Sequence, residues 1–261
     1  AVMDECTHDQ VLQCILGGLC MCYGARPDEV AFSTHCRVCF GLQESLARTD
    51  HGGDAFVDAL VDVLKRESVD IRTRCTVDRC LEVEKKRVMR FGLSDGSEVS
   101  AENCIFTIHP HAIVSVLPRE NVSKAFLDRV ADFETTPGFF TLYGTIPHPI
   151  ERTGGAVTLS SILPGTDLNK MLTCQSVEPV DGPMMVLRSS EKTNRGEPVH
   201  TVTALEIAFT ESTQGWFDTR LKRRRPEYYA YKDQRTASVV RRMHDHLPET
   251  GGAQEELGGD H

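Results

Sequence analysis

The chain has 261 residues, enough to bury a core in one large domain or two small ones. Hydrophobic residues make up 40% and charged residues 26%, as in an ordinary globular protein, and the net charge of −9 gives a nucleic-acid role no electrostatic support. No apolar run approaches the roughly 20 residues of a membrane span. The acidic start, Ala1-Val2-Met3-Asp4-Glu5-Cys6, has no signal-peptide pattern. The expected location is therefore cytoplasmic, and the lack of Met at position 1 suggests a processed or excerpted segment.

Residues 7 to 23 are predicted to be a helix, with Val11, Leu12, Ile15, Leu16, Leu19 and Cys22 at helical spacing, Thr7 as its cap and Gly17-Gly18 permitting close packing or a break. After a turn through Pro27, a second helix is expected over 28–41, followed by a connection over 42–50. The clearest helix is 53–66: Asp54 near its start and Lys65 and Arg66 at its end complement the helix dipole, and Phe56, Val57, Leu60, Val61 and Leu64 form one apolar face. Three strand-like runs follow, at 69–77, 88–93 and 104–108, with extended chain continuing from Val77 to Val83. Lys85-Lys86-Arg87 is a solvated turn, and Ser94-Asp95-Gly96-Ser97 is a hairpin turn returning into 98–101. Residues 111–117 and 123–133 read as helices. The segments 139–146, 156–163, 184–188 and 200–209 read as strands of an antiparallel sheet, and 227–247 as the last helix. The tail 250–261 is Gly/Glu-rich and expected to be disordered. Together these segments predict an α+β fold.

Ten cysteines raise a metal question. Cys20-Met21-Cys22 and Cys36-Arg37-Val38-Cys39 are candidate zinc ligands, but C-x-C is a poor knuckle and Cys20 and Cys22 lie in an apolar stretch. No βαβ pattern frames Cys36 and Cys39 as a redox pair. Small core hydrophobes in a reducing compartment are the favoured reading, with no metal. No G-x-S-x-G elbow supports a serine hydrolase.

Four features in order carry a family resemblance. They are Gly52-Gly53 followed by the helix 55–64; Ile71 to Arg79 with Val88 to Gly96; Ile105-Phe106-Thr107-Ile108-His109-Pro110-His111; and Tyr231-Lys232 leading into a helix that ends at Leu247-Pro248-Glu249. So ordered, the chain from about Val11 to Glu249 resembles the phytoene desaturase, carotenoid isomerase and retinol saturase family of FAD-dependent oxidoreductases, within the flavin amine oxidase group. The resemblance implies three parts: an α/β middle segment of an FAD-binding domain at 48–115, substrate-domain helices at 1–47, and a mainly antiparallel substrate domain covered by helices at 116–249. It implies that the backbone of Val77 meets the adenine of FAD, and that Gly52, Gly53 and His109 belong to the cofactor side. By the same analogy one face of the strand 139–146, carrying Phe139, Thr141 and Tyr143, lines the cavity for an apolar substrate.

Two family features are missing. None of the 20 glycines shows the G-x-G-x-x-G spacing that holds a pyrophosphate at a helix N-terminus. The glycine-rich segment that caps the flavin ring does not follow Glu249. The expectation is a fragment or degenerate member of an FAD-dependent oxidoreductase acting on C–C bonds of an apolar, polyene-like substrate, with no catalytic residue assigned and inactive as this chain alone. The alternative is a non-enzymatic apolar-ligand or protein-binding module that has lost FAD. The basic run Lys222-Arg223-Arg224-Arg225 is either a solvated loop or a contact with an anionic lipid surface.

Overall fold

The computed structural model describes residues 2–44, 49, 52–84, 87–134, 136–147, 149, 157–174, 181–193, 196–217, 219, 223–251 and 254–255. The tail beyond 255, Lys85 and Lys86 of the charged turn, Lys222 and part of the 42–50 connection lie outside them. The fold is α+β. It divides into two compact units, Ala1–Val57 with Thr136–His261, and Asp58–Thr135. The sequence reading sets its internal boundaries at 48 and 115 instead. The later second boundary arises because the helices after position 109 pack with each other and with the hairpin strands.

In the first unit, α1 (Val2–Cys6) and α2 (Gln10–Gly17) precede a 3-10 helix, Gly18–Tyr23. Asp9, not Thr7, caps α2: its Oδ1 accepts from the Val11 and Leu12 amides at 2.9 and 3.2 Å. The predicted single helix tightens at the glycine pair, and a Cβ on Gly17 would stand 2.9 Å from Leu168. The second helix, α3 (Phe32–Glu44), starts four residues later than predicted. Arg26 holds Asp28 and Glu29 in ion pairs, so the Pro27 segment closes as a separate turn. Helix α4 (Gly52–Arg66) straddles the boundary of the two units.

The second unit holds a three-stranded antiparallel sheet, β1 (Val77–Glu84), β2 (Arg87–Leu93) and β3 (Glu98–Ser100), in that spatial order. Gly96, at φ 86°, makes the predicted tight turn between β2 and β3. Helices α5 (Pro110–Val116) and α6 (Lys124–Ala131) follow. Two predicted strands are corrected. The run 69–76 does not join a sheet: Ser68 and Arg74 take left-handed φ of 58° and 57°, which break the extended path, and Val69 and Ile71 are exposed. The run 104–108 is neither a strand nor buried, with Ile105 92% exposed. An apolar run of this kind needs neighbouring strands on both sides to satisfy its backbone, and no described strand pairs with it.

The first unit resumes with β4 (Gly138–Ile146), β5 (Val157–Ile162), α7 (Leu168–Met171), β6 (Met184–Lys192), β7 (Pro198–Ala208), α8 (Thr210–Thr213), α9 (Pro226–His246) and β8 (Gln254–Glu255). The sheet is antiparallel with order β5-β6-β7-β4-β8. Strand alternation sends Met184, Val186, Val202 and Ala204 to one face, where they pack with Val239, Met243 and Leu247 of α9 and its end. Met185 and Ile207 face the other way, onto Cys20, Met21 and Leu172. The sheet is therefore covered on both faces within this unit.

Candidate functional site

A cavity of about 400 Å³ opens in the first unit, at the end of β7 nearest α9. Its apolar wall is formed by Phe140, Met171, Ile207 and Phe209, and Tyr231 of α9 joins them. The polar end is built by strand and helix periodicity together. Glu206 follows Val202 and Ala204 in the alternation of β7, so its carboxylate is carried to the α9 side and is 1% exposed. On α9, Arg235 and Arg242 share a stripe with Val239 and Met243. Both guanidinium groups grip the Glu206 carboxylate. The Gly182 amide donates to Glu206 Oε1 at 3.1 Å, and Arg242 donates to the Gly182 carbonyl at 2.7 Å.

Asp181 completes the cluster. The Ser238 hydroxyl donates to it at 2.5 Å, and Arg235, Arg241 and Arg242 lie 3.5 to 3.9 Å away. Burial works against its charge, but the Ser238 hydrogen bond and the three guanidinium groups outweigh burial and hold the carboxyl below its ordinary range. Tyr231 is pushed up, chiefly by burial and against the pull of Arg235. The polar end is thus a network in which two carboxylates, Glu206 and Asp181, are held by three guanidinium groups.

The structure disperses the residues singled out from the sequence. Val77 is half-buried on β1, an edge strand whose outer side pairs with no described strand. Gly52, at φ 69°, and Gly53 open α4 and lie in the other unit. His109 is exposed and caps α5, its Nδ1 accepting from the His111 amide at 3.3 Å. Phe139, Thr141 and Tyr143 share a face of β4; Tyr143 is 62% exposed, whereas Phe140, on the opposite face, lines the cavity. In the basic run, Arg224 donates to the Trp216 carbonyl and to Thr219 and lies 4.4 Å over the Tyr228 ring, while Arg223 is exposed. Among the described residues no group of three or more side chains is placed to hold a metal, and no helix is long and apolar enough to cross a membrane.

The sequence reading passed over Glu206, Arg235 and Arg242. The available signal was a charge in phase with apolar residues: Glu206 on the Val202/Ala204 beat, and two arginines seven residues apart beside Val239 and Met243. Comparison of the chain with protein-family models, curated proteins and solved structures found no match to any of them.

Proposed function

We propose that this chain carries the middle segment of an FAD-binding domain together with the substrate layer of an FAD-dependent oxidoreductase acting on C–C bonds of an apolar, polyene-like substrate. One observation supports this reading beyond the sequence resemblance: the apolar stripe of α4 and the 104–108 run are uncovered. Phe56, Val57, Leu60, Val63 and Leu64 are 39 to 61% exposed, and Ile105 is 92% exposed. An amphipathic helix and an apolar strand-length run that face solvent call for a further layer, and a dinucleotide-cradling parallel sheet is the layer the resemblance supplies. The proposed part of Val77 is consistent with its place on β1, whose outer edge pairs with no described strand. FAD, when bound, would supply the hydride chemistry. The chain's own part is to hold an apolar substrate away from water, and the wall of Phe140, Met171, Ile207 and Phe209 suits that part.

The test is FAD binding by the purified chain, alone and mixed with a polypeptide that carries a strand followed by G-x-G-x-x-G. The expected outcome is no flavin retained by the chain alone and a yellow complex in the mixture. A colourless mixture would overturn the reading. The second reading is an apolar-ligand module without flavin, favoured by a cavity built wholly from the 136–261 part of the chain. Uptake of a fluorescent apolar ligand, unchanged by FAD or by the added polypeptide, would select it.

A further inference from the structure

A second cavity, of about 610 Å³, lies beside the N-terminal helices of the same unit, bordered by Cys20, His35, Phe32 and Leu168 among others. We propose that Cys20 is a nucleophilic thiol whose proton passes through the Tyr23 hydroxyl to His35, and that this cavity takes a neutral α,β-unsaturated carbonyl compound. This site needs no flavin.

Donor and acceptor chemistry fixes the direction of the hydrogen bonds. The Leu16 carbonyl, next to the point where α2 tightens into the 3-10 helix, lies 2.8 Å from His35 Nε2. A carbonyl can only accept, so Nε2 carries the proton and Nδ1 of the neutral ring is an acceptor. The Tyr23 hydroxyl, 2.7 Å from Nδ1, therefore donates to it. The Tyr23 oxygen then accepts from the Cys20 thiol at 3.0 Å, and the same sulfur lies 3.6 Å from Nδ1 directly. Nucleophile, relay, base and orienting carbonyl are lined up, an arrangement that activates a thiol at the moment of attack. Cys39 Sγ sits 3.3 Å from Nε2, outside this relay. Burial is the chief cause that pushes both the Cys20 thiol and the Tyr23 hydroxyl up. The thiol thus rests protonated, and Tyr23 passes a proton on without itself ionising.

The ligand class follows from the cavity. Its border includes Asp4, Asp28 and Asp167 and, among the described residues, no Lys or Arg, a lining that disfavours an anion. A polarised carbon–carbon double bond is the soft electrophile that suits sulfur and needs no leaving group. In the step, the sulfur lone pair forms an S–C bond at the β carbon and the C=C π pair shifts into an enolate. The proton passed from Cys20 through Tyr23 to His35 then returns to the α carbon. The step is an addition that consumes no oxidant or reductant.

The experiment uses the full chain and N-ethylmaleimide at limiting dose, with peptide mapping of all ten cysteines. Cys20 is expected to be labelled ahead of the exposed Cys6 and Cys36. Tyr23→Phe and His35→Gln are expected to slow Cys20 by about a hundredfold, the scale of general-base assistance, and to leave Cys36 unchanged. Labelling of Cys20 only after the exposed thiols, or at an unaltered rate in folded variants, would overturn the proposal. Should both variants fail to fold, the ranking of thiols in the unaltered chain decides it.

Discussion

The two compact units have similar apolar sequence runs and treat them in opposite ways. In the unit built on β4 to β8, Met184, Val186, Ala204, Val239 and Met243 are wholly buried between sheet and helix, and the opposite sheet face rests on Cys20, Met21 and Leu172. In the 58–135 unit the buried apolar side chains among the described residues are Phe91, Leu93 and Val130. There Leu60, Val63, Leu64, Val69, Ile71, Ile105 and Ile108 stay open to solvent. Periodicity alone does not bury a residue. A strand or helix that presents an apolar face is buried only where a second layer meets it. The first unit covers both faces of its sheet, whereas in the second the packing of α5 on β1 leaves the apolar stripe of α4 and the 104–108 run exposed.

Three substitutions test this contrast. Glu206→Ala has the largest expected effect, because it removes the buried carboxylate that both Arg235 and Arg242 grip and leaves them only the more distant Asp181. A loss of about 3–5 kcal/mol is expected. Trp216, the single tryptophan, packs against Tyr228 and Tyr231, so its fluorescence during urea unfolding reports on this unit. Met243→Ala follows, at about 2–5 kcal/mol by the same readout, since its side chain is fully enclosed by the sheet. Leu60→Ser on α4 is the smallest, within about 0.5 kcal/mol, because a side chain already 51% exposed loses little. The same substitution is expected to lower binding of a solvatochromic apolar dye. A large destabilisation at Leu60 would show that α4 is covered in solution and would remove the contrast.

Asp181 gives the comparison a pH dependence. Its carboxyl is held below the ordinary value of 3.8, so the folded form favours the charged state. The stability it contributes is therefore present above the unfolded value and is lost as pH falls through the lower folded one. Asp181→Asn should narrow the gap between stability at neutral pH and stability below pH 3.8, measured by Trp216 fluorescence. An unchanged acid dependence would show that the Ser238 and arginine contacts do not favour the charged form.

Most element types were legible in the sequence, for reasons that particular residues show. Asp95-Gly96 specified a turn because Gly96 needs positive φ. Phe139 to Ile146 specified a strand because β-branched and aromatic side chains alternate along it. Pro226 to His246 read as a helix from the phase of Val240 and Met243. The runs 69–76 and 104–108 misled because a strand is completed by its neighbours: backbone groups at Ile71 or Ile105 gain nothing from an extended path with no ladder to join. The cavity was less legible. Phe140 and Phe139 are adjacent in sequence, and only sheet packing decides which one faces α9.

By itself the sequence determined the α+β class, the antiparallel character of the later strands and the position of most helices, because periodicity and turn chemistry act over a few residues. Tertiary structure alone decided that Glu206 meets Arg235 and Arg242, that Cys20, Tyr23 and His35 come together, and that the apolar stripe of α4 stays exposed. Those outcomes depend on which faces meet across 12 to 36 residues of chain, and no local pattern contains that information.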